Sequence, residues 1–148
     1  SPFMIQSSQY PGMSHGIGLN IQVASAQFDV IRRIAEKGDC IFVGRCADYI
    51  LRSRTDMVRV FIMGDYQSKI KCIMDRQGVT EEAAKKKIKE VDKDRSSYYK
   101  YYTDQVWGDV NNYDICVNSS RIGVAGTVDM IIEYIRQRQA AENKEKSE

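Results

Sequence analysis

Three short apolar runs, separated by segments of helical character, constrain the fold of this chain most strongly. The runs occupy residues 40–44, 58–64 and 113–120, with the sequences CIFVG, VRVFIMG and YDICVNSS. Their apolar residues would cover both faces of a strand, which is typical of strands inside a sheet that is covered on both sides. Helices that alternate with such strands predict an α/β fold with a parallel sheet.

Apolar residues at helical spacing predict the helices that connect these strands. One amphipathic helix covers residues 20–37, and a second covers residues 67–77 and ends at Gly78. A long, strongly charged helix follows Thr80, and Thr127 is a candidate cap for the last helix.

The chain of 148 residues suits one domain. We predict an irregular N-terminal segment at 1–19, the domain at 20–138 and a polar tail at 139–148. Within the domain, the segment from about 80 to 104 is predicted to be a mobile lid. Its charged helix has few apolar residues to bury, and lids come from the less stable parts of a fold.

Composition and cysteine usage exclude several classes of protein. A formal net charge of +2 gives no bulk argument for a nucleic-acid or membrane partner. No apolar run approaches the roughly 20 residues that span a bilayer, and the N-terminus lacks the features of a signal peptide. The four cysteines lack metal-binding spacing, so we expect reduced thiols in a cytoplasmic protein and no metal site, with His15 at the surface.

Arg45 is the first candidate functional residue. It follows the apolar run CIFVG directly after Gly44, at the carboxyl end of the predicted strand. Ligands of parallel α/β sheets bind beyond the carboxyl ends of the strands, which favours an anionic ligand at Arg45. The alternative is that Arg45 pairs with Asp48 or another nearby carboxylate.

The long charged helix and the end of the third strand hold further candidates. Dense cations near the sequence DKDR, residues 92–95, could close over phosphate groups, or they could form ion-pair ladders on a solvated helix face. The tyrosines at 98–102 and Trp107 could stack on a base or pack the helix onto the body of the protein. Asn118, Ser119 and Ser120 could contact a nucleoside or cap a turn.

Several of these strings resemble the cytidylate kinase-like family of bacterial proteins. The strings are IAEKGDCIFVGRCADYIL, VRVFI, VDKDRSSYYKYYT, WGDVNNYDICVNSSRIG and TVDMIIEYI, and together they span roughly residues 25–138. The family is similar to nucleoside monophosphate kinases of the three-layer P-loop fold. The resemblance therefore implies phosphoryl transfer from ATP, with magnesium, to a nucleoside monophosphate such as CMP or dCMP.

The resemblance also implies roles for individual residues. Arg45 would hold the phosphate of the acceptor, and we assign Asp48, Lys69 and Lys71 to the same substrate site. In the lid, Arg95 would stabilise charge on the transferring phosphoryl group. Asp92 and Asp94 would contact the acceptor. The residues that would lie near the donor nucleotide are Asn118, Ser119 and Arg121.

The chain departs from the family pattern in two places. Cys46 stands where true cytidylate kinases carry an aspartate, and no G-x-x-x-x-G-K-[ST] phosphate loop occurs, since GMSHGIG at 12–18 lacks that spacing. The chain thus resembles a family member without its N-terminal portion, and alone it is expected to be inactive. Its incomplete sheet would close by direct strand pairing, by a segment such as SPFMIQ, or by a swapped element in a homodimer.

We therefore predict a nucleoside monophosphate kinase-like protein whose ligand is a small nucleotide. Two alternatives remain at this point. The chain could be a non-catalytic, regulatory nucleotide-binding module, which the missing loop and Cys46 favour, or it could belong to a kinase of another small acceptor.

Overall fold

A computed structural model describes residues 4–5 and 17–147 of the chain. These residues contain four short strands, five α-helices and one turn of 3₁₀ helix, joined by turns and loops. The strands are β1 (Met4–Ile5), β2 (Ile41–Phe42), β3 (Val60–Met63) and β4 (Ile115–Asn118). The helices are α1 (Ile17–Glu36), α2 (Ala47–Ile50), α3 (Tyr66–Gln77), α4 (Glu81–Thr103) and α5 (Ser119–Glu145), and the 3₁₀ turn is Val110–Asn112.

The chain divides into two compact units. The first unit consists of Ser1–Met57 and Asp92–Trp107, and the second consists of Val58–Val91 and Gly108–Glu148. The chain passes from one unit to the other inside α4, between residues 91 and 92. Each unit contains one pair of parallel strands, so the fold is mixed α/β and mostly helical, as the α/β prediction requires.

In the first unit, β1 pairs in parallel with β2, with Met4 opposite Ile41 and Ile5 opposite Phe42. Met4 and Ile5 lie in the segment SPFMIQ, one of the three predicted sources of a missing strand, but β3 pairs with β4 in a separate sheet, so this strand does not join β2 to β3 as that route predicted. The predictions for residues 6–16, including His15 and most of GMSHGIG, lie outside the described residues.

The core of the first unit joins α1, α2 and the C-terminal part of α4. Its buried residues are Ile31, Ala35, Cys46, Ala47, Ile50, Leu51 and Tyr99, and Tyr98, Tyr102 and Trp107 pack against them. The rings of Phe28 and Tyr102 meet edge to face, with centroids 5.4 Å apart. The packing alternative for this block of aromatic residues is therefore confirmed for Tyr98, Tyr99, Tyr102 and Trp107.

In the second unit, β3 pairs in parallel with β4, from Val60 opposite Ile115 to Met63 opposite Asn118. A separate buried cluster of Ile70, Ala84 and Ile88 packs α3 against the first turns of α4. The lid prediction assumed that this helix buries little, but Ala84 and Ile88 are buried here and Tyr99 and Thr103 are buried in the first unit. The charged residues between them are mostly exposed.

Two local predictions are wrong. The apolar strands are not covered on both faces, because Ile41 is 62% exposed and Ile62 is 55% exposed, and the described residues form sheets of two strands each. Thr127 is not the N-cap of the last helix, because it lies inside α5, four residues after the interruption at Gly123, and the N-cap of α5 is Asn118. Gly123 interrupts the helix at φ 70°, and the Thr127 hydroxyl donates to its carbonyl at 2.7 Å.

The first helix also begins at Ile17, three residues earlier than predicted. Among the described residues, no helix combines the length and the apolar character needed to cross a bilayer.

Candidate functional site

The turn that follows β2 has an unusual backbone. Gly44, Arg45 and Cys46 all adopt left-handed conformations, with φ of 72°, 57° and 57°. For a residue other than glycine this conformation costs roughly 1–2 kcal/mol, and such strain concentrates at functional sites. The buried side chains of Cys46 and Ala47 hold the turn against the core of the first unit.

Arg45 extends from this strained turn toward α4. Its guanidinium carbon lies 5.8 Å from the centroid of the Tyr98 ring, within the range of a cation–π interaction. Burial raises the pKa of Tyr98, and the nearby Arg45 opposes that rise. The arginine that the resemblance assigns to the acceptor phosphate is thus half-buried and held in a defined environment.

Asp48 lies three residues after Arg45, on α2. Its Oδ2 accepts a hydrogen bond of 2.8 Å from the hydroxyl of Tyr99, which is almost fully buried on α4. The backbone carbonyl of Tyr99 in turn accepts a bond of 2.6 Å from Thr103. The end of α4 therefore fixes the orientation of the Asp48 carboxylate.

Cys46 cannot replace the aspartate that true cytidylate kinases carry at this position. Its side chain is 4% exposed, and burial together with the charge of Asp48 raises its pKa to about 12, while Arg45 opposes the rise. The thiol therefore stays protonated at neutral pH and packs as a small hydrophobic group.

The residues of the DKDR sequence lie on the exposed part of α4 in the first unit. Arg95 Nη1 is 3.4 Å from Asp92 Oδ1, and the Arg95 guanidinium carbon is 6.0 Å from the centroid of the Trp107 ring. Asp94 is exposed to solvent. Arg95 is 43% exposed, so its guanidinium is accessible to an anionic ligand.

The lysines earlier in α4 follow the ion-pair alternative. Lys85 pairs with Glu81 at 2.6 Å, and Lys86 lies 3.9 Å from Glu90. Both pairs join residues four apart on a solvated helix face. We therefore assign neither lysine to the site.

The carboxyl ends of β3 and β4 meet in the second unit and bring together the predicted donor-nucleotide residues. Asn118 Oδ1 accepts a bond of 3.1 Å from the Ser120 backbone N–H, and its Nδ2 donates a bond of 2.9 Å to Asp65. Ser119 donates to the Met63 carbonyl at 3.1 Å. Arg121 Nε lies 3.2 Å from Asp65 Oδ2.

The two lysines predicted for the substrate site lie on α3. Lys69 is half-buried, and its side chain lies beside Gly64 at the end of β3. Lys71 is exposed on the same helix.

The predicted site residues therefore form two clusters, each within one unit. Arg45, Asp48, Asp92, Asp94 and Arg95 belong to the first unit, and Lys69, Lys71, Asn118, Ser119 and Arg121 belong to the second. The sequence did not lead us to Asp65 as a site residue, or to Tyr99 as a hydrogen-bond donor. The position of Asp65 just beyond a strand was a usable signal, whereas Tyr99 was hidden within a block of aromatic residues.

The described residues contain no group of three or more His, Cys, Asp or Glu side chains that could hold a metal ion. All four cysteines are free thiols, as predicted.

Comparison with known proteins places these clusters in context. A family model for the cytidylate kinase-like family matches residues 3–121. A crystal structure of an uncharacterized protein from Eubacterium ventriosum ATCC 27560 is similar, with 39% sequence identity and a TM-score of 0.76. The similarity covers 82% of this chain and 68% of that chain. No curated protein matches the chain.

Proposed function

The chain belongs to the cytidylate kinase-like family, and on that premise we propose that it is a nucleoside monophosphate kinase. The proposed reaction transfers a phosphoryl group from ATP to CMP, dCMP or a similar nucleotide. We further propose that this chemistry takes place on the P-loop kinase framework that the family implies, in the cytoplasm, where free thiols are stable.

The observation that carries the proposal is the left-handed turn at residues 44–46. It presents an arginine just beyond a parallel strand, where an α/β fold binds its ligands. Arginine offers a planar fork of donors that matches the oxygens of a phosphate group. In the proposed site, Arg45 binds the phosphate of the acceptor, and Asp48, oriented by Tyr99, accepts hydrogen bonds from its nucleoside.

The other residues act through position and charge, because phosphoryl transfer leaves little covalent chemistry for a protein to perform. Arg95 on the predicted lid stabilises the charge that develops on the transferring group, and Asp92 and Asp94 face the acceptor. Lys69 and Lys71, which the resemblance assigns to the substrate site, lie on α3 and add positive charge within the second unit. On the donor side, Asn118 and Ser119 support the strand ends, and Arg121 contacts the donor nucleotide.

The donor phosphates need a cradle of backbone N–H groups and a metal ion. No G-x-x-x-x-G-K-[ST] sequence occurs in these 148 residues. The described residues also form no cluster of metal ligands, so we assign no magnesium site to them. We propose that transfer requires a phosphate loop from outside this sequence, and that the chain itself recognises the nucleotides.

A second candidate is a regulatory module that binds a nucleotide without catalysis. The observation that favours it is Cys46, whose neutral thiol supplies neither the charge nor the hydrogen bonds of the aspartate found in true cytidylate kinases. This candidate predicts nucleotide binding and no turnover under any condition.

Calorimetric titration of the chain with CMP, dCMP, UMP and cytidine tests the proposal. We expect the monophosphates to bind and cytidine to bind on the order of 10-fold more weakly or worse, because it lacks the phosphate that Arg45 contacts. Equal affinity for CMP and cytidine would contradict the phosphate-binding role. Addition of a phosphate-loop segment, ATP and magnesium then separates the candidates, since only the kinase gains turnover.

A further inference from the structure

Asp65 occupies the N-cap position of α3 but does not cap the helix. Its backbone is extended, with φ −60° and ψ 140°, yet its carboxylate accepts no hydrogen bond from the first turn. Aspartate at this position normally accepts such a bond, which stabilises the helix. The carboxylate must therefore be engaged elsewhere.

The contacts of Asp65 converge on the end of β4 and the start of α5. Its Oδ1 accepts from Asn118 Nδ2 at 2.9 Å, and its Oδ2 lies 3.2 Å from Arg121 Nε. Its backbone N–H donates to Ser120 Oγ at 3.0 Å. One residue thus contacts three of the four residues from 118 to 121.

Gly64 permits this close approach. A Cβ at position 64 would lie 3.1 Å from Ser120 Oγ, which is tighter than ordinary van der Waals contact. A larger residue there would displace the hydroxyl that accepts the Asp65 N–H.

Stability does not explain the contact between Asp65 and Arg121. Arg121 is 74% exposed and Asp65 is 35% exposed, and ion pairs at such exposure contribute little to stability. The Asn118 hydrogen bond ends on a charged acceptor and offsets the lost cap. The contact with Arg121 therefore has a role other than stabilisation of the fold.

The arrangement instead determines the orientation of Arg121. Asp65 holds this arginine through Nε, and that contact leaves the two terminal nitrogens available to a ligand. Asn118 uses its Oδ1 and one of its two Nδ2 donors within the protein, so its main part is to support the site. Among the three predicted donor-nucleotide residues, Arg121 is the one whose exposed side chain offers several donors.

The geometry points to Asp65 as a positioning residue that orients Arg121 toward the donor nucleotide. This inference rests on the proposed function, because it takes ATP as the ligand of the second unit. Asp65 does not itself touch the nucleotide, so it acts only through Arg121.

Titration of the Asp65→Asn variant with ATP tests the inference, because two explanations of Asp65 predict opposite changes in ATP affinity. Loss of orientation should weaken ATP binding about 3- to 10-fold. A carboxylate that merely stands near a triphosphate repels it, so its neutralisation would strengthen binding instead. Asp75→Asn removes the same charge from an exposed position on α3 and serves as the matched control.

A double-mutant cycle shows whether Asp65 acts through Arg121. Arg121→Ala should weaken ATP binding, and Asp65→Asn should cause no further loss in that variant. CMP affinity should stay unchanged in Asp65→Asn, whereas a general loss of structure would weaken ATP and CMP binding together.

The outcomes separate this inference from the proposed function. Unchanged or stronger ATP binding by Asp65→Asn, or equal losses with and without Arg121, overturns the inference alone. Wild-type protein that binds neither ATP nor CMP overturns the proposed function and the inference together.

Discussion

Replacement of Arg45 with alanine should weaken CMP binding by about 1.5–3 kcal/mol, or roughly 10- to 150-fold. The reason is the loss of a charge-assisted contact between the guanidinium and the acceptor phosphate, at a half-buried position beside Tyr98. Calorimetric titration with CMP measures the change. Arg45→Lys should recover part of the affinity, because it keeps the charge but not the planar fork of donors.

Arg52→Ala is the matched control for this experiment. Arg52 carries the same charge seven residues later and donates to the Tyr49 carbonyl at 2.8 Å, on an exposed surface. Its replacement should leave CMP affinity nearly unchanged. Equal losses in both variants would mean that CMP binding depends only on the total positive charge. An unchanged affinity of folded Arg45→Ala would show that Arg45 does not belong to the site.

Replacement of Asp114 with alanine should produce the largest change in stability among the charged residues of the second unit. The Asp114 carboxylate accepts from the Arg59 backbone N–H at 2.7 Å, from Nε at 3.1 Å and from Nη2 at 2.9 Å. These bonds join the residues that precede β3 and β4 and so hold the start of the parallel pair. Allowing for partial solvent screening, we expect a loss of about 1–3 kcal/mol in the free energy of unfolding at pH 7.

The effect of this substitution should depend on pH. The hydrogen bond from Arg59 holds the pKa of Asp114 below its ordinary value, so the charged carboxylate stabilises the folded state. This contribution is fully present above the ordinary pKa of about 3.9 and is lost as the pH falls through the lowered value. Urea unfolding at pH 7 and at progressively lower pH should therefore show a shrinking difference between wild type and Asp114→Ala.

Asp56→Ala provides the comparison for Asp114. Asp56 also forms a two-point ion pair, with Arg54, but its side chain is 65% exposed. Solvent screening makes such pairs weak, so its loss should matter much less. A difference for Asp114→Ala that is constant from pH 7 to pH 3, or equal effects of the two substitutions, would show that the Arg59 pair is not what holds the strands.

The elements set by local sequence could be predicted well. Helix α3 was predicted at 67–77 and spans Tyr66–Gln77, because its apolar spacing and the left-handed Gly78 at its end are properties of neighbouring residues. The strands β3 and β4 lie within the predicted runs for the same reason. The α/β class followed from their alternation with helices.

The features that were missed depend on residues far apart in the chain. Asn118 could equally contact a ligand or cap a turn, and its engagement follows from Asp65, which is 53 residues away. The hydrogen bond of Asp48 comes from Tyr99, 51 residues away. The spacing of residues along the sequence does not show that either pair is in contact, because each contact depends on how the helices and strands pack together.

The prediction that the strands are covered on both faces failed for a related reason. Apolar residues on both faces of a strand indicate which surfaces would be buried in a larger, covered sheet. They do not indicate how many other strands are available for pairing. In the part of the chain that the structure describes, each sheet has two strands, and Ile41 and Ile62 keep more than half of their surface exposed.

The position of CMP on the chain tests the central claim most directly. Amide proton–nitrogen NMR spectra, recorded during titration with CMP and separately with cytidine, report which backbone groups the ligand affects. We predict saturable shifts with CMP that are largest at residues 44–47, around the left-handed turn that presents Arg45, and much smaller shifts with cytidine. Saturable CMP shifts confined to the second unit, or no saturable shifts at all, would contradict the assignment of this turn as the acceptor site.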